Sequence, residues 1–334
     1  MATLTNISNP GLLQGGTDNL AGYLKVFSGE VLTAFERSSK AVEKHIVRTI
    51  SSGKSASFPV MGRANAHYLQ PGQSLDDIRE VIPHNEKIIG IDGLLTSDQL
   101  ITDLYEAMSH YDVRQEYAKQ MGEALALAAD GSIIAEIAKL ATANTENITG
   151  LGKGIVLEKQ IAAGDIGVTE AMGKTIVQML LELKAKFSNQ YVPDSERYVY
   201  MKPEGIAALI NSWTAINRDF GAVGTIVEGN ITRLAGFDII EVPHLTTGGV
   251  DGANVLKSGA SHDFPTAYKD KAVFVAAHHS AVGTVKLKDL SLETGRRIEL
   301  QADHVVAKYS MGHGGLRPEA TAIGTISAST TTGK

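Results

Sequence analysis

The sequence predicts an α+β fold, and three features carry that prediction. From about Asp112 to Ala143, apolar residues recur at three- and four-residue spacing, with Val113, Tyr117, Met121, Leu125 and Ala128 on one helical face. RYVYM at 197–201, FDIIEV at 237–242 and AVFVAA at 272–277 are short strand-like runs interleaved with helical segments. Residues 55–91 read as a long β-hairpin, and 284–311 as a succession of strands.

Taken in order, residues 1–16 end in GLLQGG and are small, polar and glycine-rich, the composition of a flexible start. Thr17 and Asp18 are capping residues for a helix striped by Leu20, Tyr23, Leu24, Phe27, Val31, Leu32 and Phe35. Its apolar stripe needs a distant surface, in this chain or in another subunit. Residues 55–91 predict a long β-hairpin, with SASFPVMG as one arm and 77–82 with 86–91 as the other. Gln70-Pro71-Gly72 supplies turn chemistry near the tip, and Pro59 and Pro83 favour edge positions. An isolated hairpin is marginal in water, so one carrying Phe58, Val60, Tyr68, Leu69 and Leu75 calls for a surface from elsewhere.

Ser97 or Asp98 is expected to cap a short helix bearing Leu100, Ile101, Leu104, Tyr105 and Met108. The long helix that follows would span roughly 45 Å at 1.5 Å per residue, with Asp130-Gly131 as its expected bend. After a loop at 141–154, Thr169 caps a helix carrying Met172, Ile176, Val177, Leu180 and Leu183, and Pro203 opens another. Residues 167–280 thus read as a separate α/β module, with 243–265 as a long surface loop. The run 284–293 alternates and then slips phase at Lys288-Asp289, which predicts a bulge. Arg297–Asp303 and HVVAKYSM at 304–311 continue as strands.

Composition narrows the function. The 334 residues are 43% hydrophobic and 20% charged, the balance of a soluble globular protein. There is no long apolar run, and MATLTNISNP lacks the build of a signal peptide. The absence of cysteine excludes disulfides, thiolate metal sites and cysteine nucleophiles. A net charge of −6 argues against a dedicated nucleic-acid binder, because gripping phosphates needs a basic face.

The motifs that hint at chemistry lack their partners. Gly53-Lys54-Ser55 matches the end of a phosphate loop, but position 48, where the first glycine belongs, is Arg48, and a strand-like run follows in place of a helix. MGHGGLRPEA at 311–320 resembles an esterase oxyanion element, yet there is no G-x-S-x-G turn and no histidine after His313; it reads as a tight turn needing glycine's freedom. His278 and His279 are neighbours on a strand and point to opposite faces. The pairs Asp92-Gly93, Asp130-Gly131 and Asp251-Gly252 read as turns or bends, and Arg296-Arg297 forms no basic stripe. No catalytic, cofactor or metal site is expected, and the chain is not read as an enzyme.

One ordered series of segments is specific. LKVFSGEVLTAFERSS, HIVRTISSGKSASFPVMGRANAHYLQPGQSLDD, IDGLLTSDQLI, MSHYDVRQEYAKQMGEALALAADGSIIAEIA, NQYVPDSERYVY, EVPHLT, HHSAVGTVKLKDLSLE and VAKYSMGHGGLRPEA occur in sequence from about residue 20 to 320. They resemble the major capsid proteins of the short-tailed, T-seven-like bacteriophages. The resemblance implies the tailed-phage capsid fold. It divides the chain into an N-terminal arm (1–54), an extended loop (55–97), a spine helix with the first part of a peripheral domain (98–166), an axial domain (167–280), and returning peripheral strands with the tail (281–334).

The resemblance further implies a structural protein that self-assembles into hexamers and pentamers of an icosahedral head enclosing double-stranded DNA. Scaffolding and portal proteins are its implied partners, the host cytoplasm its place of assembly and the virion its destination. No membrane partner is expected. Lys54, Phe58, Tyr68, Leu69, Asp76, Asp77, Arg79 and Arg317 are then candidates for contacts between subunits, held without covalent crosslinks. Gly53, Gly72, Gly131, Gly312, Gly314 and Gly315 are candidate hinges or turns. The alternative is an encapsulin-type compartment shell built on the same fold.

Overall fold

A computed structural model describes residues 7–8, 39–108, 113–212, 223–225, 230–246 and 262–329. The helix expected at 17–35, the Asp251-Gly252 pair and most of the loop expected at 243–265 lie outside the described residues. In chain order the strands are β1 (Ile7–Ser8), β2 (Ile46–Thr49), β3 (Ser55–Met61), β4 (His84–Gly90), β5 (Leu95–Thr102), β6 (Ile155–Ile161) and β7 (Arg197–Met201). They continue as β8 (Val223–Thr225), β9 (Asn230–Leu234), β10 (Phe237–Glu241), β11 (Ala272–His278), β12 (Val282–Arg297), β13 (Ala302–Gly315) and β14 (Thr321–Ala328). The α-helices are α1 (Leu75–Ile78), α2 (Asp103–Met108), α3 (Val113–Thr142), α4 (Glu170–Asn189) and α5 (Pro203–Asn211).

Three sheets result. β12 and β13 form the long antiparallel centre of a five-stranded sheet ordered β1-β5-β13-β12-β2. A seven-stranded sheet runs β6-β14-β11-β7-β10-β9-β8, and β3 pairs with β4 alone. The α/β module expected at 167–280 is therefore larger: its sheet also recruits 155–161 and 321–328, the latter antiparallel to β11. Ala322, Ile323 and Ile326 on β14 are buried beside Phe274 and Val275 on β11, and burying those side chains requires the added strands.

Helix α3 ties the two larger sheets together by packing on β5 and β13 of one and on β14 and β11 of the other. Every residue from Ala128 to Ala135 is buried, so the helix crosses the core enclosed on all sides. The bend expected at Asp130-Gly131 does not form, because the Asp130 carboxylate is engaged elsewhere and α3 runs on unbroken through Gly131. Helix α4 starts where Thr169 accepts from the Met172 N–H at 3.2 Å, and its buried stripe includes Ile176, Leu180, Leu183 and Phe187.

Three other expectations change for identifiable reasons. Residues 95–102 are a strand, not a helix start, because they pair along β13 from Ala302↔Thr102 to Tyr309↔Leu95; the helix begins only at Asp103. Residues 297–303 are not one strand: 298–301 make the turn joining β12 to β13, where Gln301 takes a left-handed φ of 46°, while Arg297 pairs with Ala302 and Arg296 with Asp303. The GHGG run is no turn: Gly312, Gly314 and Gly315 extend β13, opposite Val285, Gly283 and Val282. The bulge at 288–289 is present as register shifts between Lys286, Lys288 and Ser291.

Candidate intersubunit interface

The hairpin divides into a stem that buries one face on the body and a tip that is exposed. Along the stem, β3 pairs with β4 from Ser55↔Gly90 to Met61↔His84, and alternation points Ala56, Phe58 and Val60 to one face. With Ile89 they form a cluster with Ile148, Leu151, Val285 and Leu316 of the body. Phe58 is only 7% exposed, so it belongs to the chain's own packing, contrary to its expected role between subunits. Asn85 donates to the backbone and side-chain oxygens of Asn147 at 3.1 and 2.9 Å, and the Arg63 guanidinium lies 4.4 Å above the Tyr191 ring while donating to the Gln190 carbonyl.

Beyond Gly62, whose N–H donates to Pro83 O at 2.8 Å, strand pairing stops. The expected arm at 77–82 forms no strand: Asp77 and Ile78 end the single turn α1, capped by Ser74, and 79–82 pair with no strand. Gly72 makes the turn after Pro71 with φ 86°. The tip leaves Tyr68 fully exposed, with Leu69, Leu75, Val81 and Ile82 also exposed. Asp76 pairs with Arg79 at 2.7 Å, and Asp77 is exposed. A groove of about 520 Å³, lined by Arg63, Glu80, Val81, Ile82, Thr149 and Gly150 among others, opens where tip and stem meet.

At the root, Gly53 turns from β2 to β3 with φ 116°, and the Lys54 side chain is exposed. Gly53-Lys54-Ser55 thus joins two strands and opens no helix. A Cβ on Gly312 would lie 1.9 Å from Gly90 O, one on Gly314 2.8 Å from Ile89, and one on Gly315 2.8 Å from Leu140. Those glycines serve close approach of β13 to the hairpin and spine; their backbones need no left-handed angle. Arg317, expected to reach a neighbour, lies 4.0 Å from Glu319 of its own chain.

The structure also gathers residues whose positions in the sequence give no pattern. Asp130 accepts from Lys40 N at 2.6 Å, from Ala41 N at 3.1 Å and from the Ser39 hydroxyl. Arg197 is buried and donates to Val192 O at 2.6 Å and Pro193 O at 2.7 Å, between the rings of Phe187 and Phe237. His262 donates to Asp92 and to Glu136, each at 2.8 Å. Burial opposes its charge, but the hydrogen bonds to Asp92 and Glu136 prevail and raise its pKa to about 9. His45 and His313 behave oppositely: burial, assisted by neighbouring histidines, lowers them to about 3 and about 4. His278 and His279 point apart, to Ser280 and to Lys44 O, and among the described residues no group of three or more acidic or histidine side chains is placed to hold a metal. Arg296 is occupied by Asp103 and Asp303.

Comparison with known proteins accounts for this architecture. Residues 57–324 match the family model described as Gp10A-like major capsid protein. The major capsid protein of Escherichia phage T7 is 46% identical, with 96% of this chain and 97% of that one covered. That of Enterobacteria phage T3 is 47% identical over 94% of each. Among solved structures, the capsid of cyanophage P-SCSP1u superposes with a TM-score of 0.75 at 33% identity, over 98% of this chain and all of the other. The chain, with its buried hairpin stem, enclosed spine helix and two large sheets, belongs to the Gp10A-like family of major capsid proteins.

Proposed function

We propose that this major capsid protein assembles as hexamers and pentamers into the icosahedral head of a short-tailed phage, with the hairpin tip of each copy lying on a neighbour. The observation that carries this reading is the tip itself. Tyr68, Leu69, Leu75, Val81 and Ile82 are held out in water by a stem that the chain has already buried. Monomeric proteins rarely expose a concentration of large apolar side chains without a use for it. Asp76, Asp77 and Arg79 surround that surface as polar contacts, Lys54 offers another at the root of the hairpin, and Asp76 and Arg79 exchange their internal ion pair for partners on the next subunit.

In this reading the seven-stranded sheet with α4 and α5 forms the axial domain around each five- or six-fold centre. The five-stranded sheet with α3 forms the peripheral domain. The net charge of −6 suits a shell that encloses double-stranded DNA without gripping it. Assembly takes place in the host cytoplasm on a scaffolding protein, with a portal protein at one vertex. A cargo-enzyme compartment is not favoured, because the phage major capsid proteins that are 46% and 47% identical match along nearly their full length.

Electron microscopy of the chain co-expressed with its scaffolding protein tests the proposal. Closed icosahedral particles are expected, and deletion of residues 60–85 is expected to abolish them. A stable, monodisperse monomer under the same conditions would overturn it.

A further inference from the structure

The neutral imidazole carries one N–H and one lone pair, whereas the imidazolium carries two N–H donors. His262 has a carboxylate at each nitrogen, Glu136 at Nδ1 and Asp92 at Nε2, each 2.8 Å away. Only the doubly protonated ring donates to both. The three residues come from parts of the chain up to 170 positions apart. Asp92 lies in 91–94, the link by which the hairpin re-enters the five-stranded sheet; Glu136 is on α3; and His262 precedes β11 of the seven-stranded sheet.

We propose that protonated His262 is a clasp that fastens the root of the hairpin to the spine helix, and that removing its proton frees that root to change its angle. The surroundings support a clasp that opens at one point. From α3, Lys139 approaches the same Glu136 oxygen at 3.3 Å, which leaves Glu136 a second cation when His262 lets go. From β13, the His313 ring stands edge-on with centroids 5.7 Å apart, and its Nδ1 is engaged by Thr284 on β12 at 3.0 Å. Tyr309, also on β13, is buried and kept protonated by that burial and by Asp92. On its own segment, Asp263 is exposed.

Among the described residues His262 is the cation paired with Asp92, so loss of the proton removes the charge that draws Asp92 to the helix. Among the described residues the root keeps the Asp92 N–H to Met311 O at 3.2 Å, the Ser310 hydroxyl to Gly93 O at 2.9 Å and the Ile91 N–H to Lys54 O at 3.0 Å, together with the packing of Ile89 and Ile91 in the stem cluster. The imidazolium is retained up to about pH 9, so the clasp is shut at neutral pH and opens on the alkaline side.

Hydrogen exchange on the full-length chain, corrected for the intrinsic effect of pH on amide exchange, tests the clasp. Peptides spanning 84–102 are expected to lose at least tenfold protection as pH rises from 8 to 10, while peptides from α4 remain unchanged. Asp92→Asn preserves shape and removes one carboxylate, and is expected to move that transition at least one pH unit lower. His262→Gln is expected to leave the root open and independent of pH over this range. Nitrogen-15 spectra of labelled histidine should show both His262 nitrogens protonated at pH 8. A His262 that is neutral at pH 8, or a root whose protection is unchanged in Asp92→Asn, would overturn the proposal.

Discussion

The Asp130 carboxylate, buried within α3, accepts from Lys40 N and Ala41 N at 2.6 and 3.1 Å, so one side chain anchors the chain's entry into the body. Removing it strands two backbone donors. Asp130→Ala is expected to cost about 3 kcal/mol in urea unfolding, with Asp130→Asn costing less because one oxygen is kept. Gly312 is as exacting for a steric reason: a Cβ would sit 1.9 Å from the Gly90 carbonyl. Gly312→Ala is expected to cost upwards of about 3 kcal/mol, since backbone must move to admit it. Neither role was legible in the sequence. An Asp-Gly pair and a glycine-rich run both suggest turns, and nothing local reports that backbone from a distant segment lies against them.

At the level of elements, legibility followed how far each element depends on its own residues. β7, β10 and β11 announce themselves through β-branched and aromatic runs, and α4 through its Thr169 cap and apolar stripe. β5 does not: LTSDQLIT is strand only because β13 offers a ladder from residue 302 to 309. The hairpin was legible as a hairpin, but not in the division between stem and tip. Alternation identified Phe58 as one-sided without saying whose surface it meets, and it meets Ile148, Val285 and Leu316 of the same chain. That distinction is measurable. Phe58→Ala is expected to destabilise the isolated chain by about 3–4 kcal/mol. Leu69→Asp with Val81→Asp, both on the exposed tip, is expected to leave the urea midpoint of the isolated chain unchanged and to abolish shell formation. A tip variant that assembles normally, as judged by sedimentation, would remove the tip from the interface.

For the whole molecule, the buried histidines set opposing dependences on pH. His45 and His313 stay neutral in the fold down to about 3 and about 4, against 6.5 in the unfolded chain. Between those values the unfolded state binds more protons, so their contribution is full above pH 6.5 and is lost as pH falls toward 4. His262 has the opposite sign: its folded pKa of about 9 means a contribution that is full below pH 6.5 and lost as pH rises through 9. Thermal unfolding of the full chain is therefore expected to show greatest stability near pH 6.5, falling on both sides, and His262→Gln is expected to flatten the alkaline side alone.

The ladder of β3 with β4 is seven residues long and packs on the body along one face. At about 3.3 Å per residue it is roughly 23 Å from root to last rung, before the tip adds its own reach. It is a stiff lever. A rotation of about 10° at the root carries the last rung through roughly 4 Å, comparable to the spacing between neighbouring strands. Small adjustments where Gly90 lies against Gly312 are thereby multiplied at Tyr68 and Val81, so in the proposed shell a residue remote from the tip governs where the tip is presented to a neighbour.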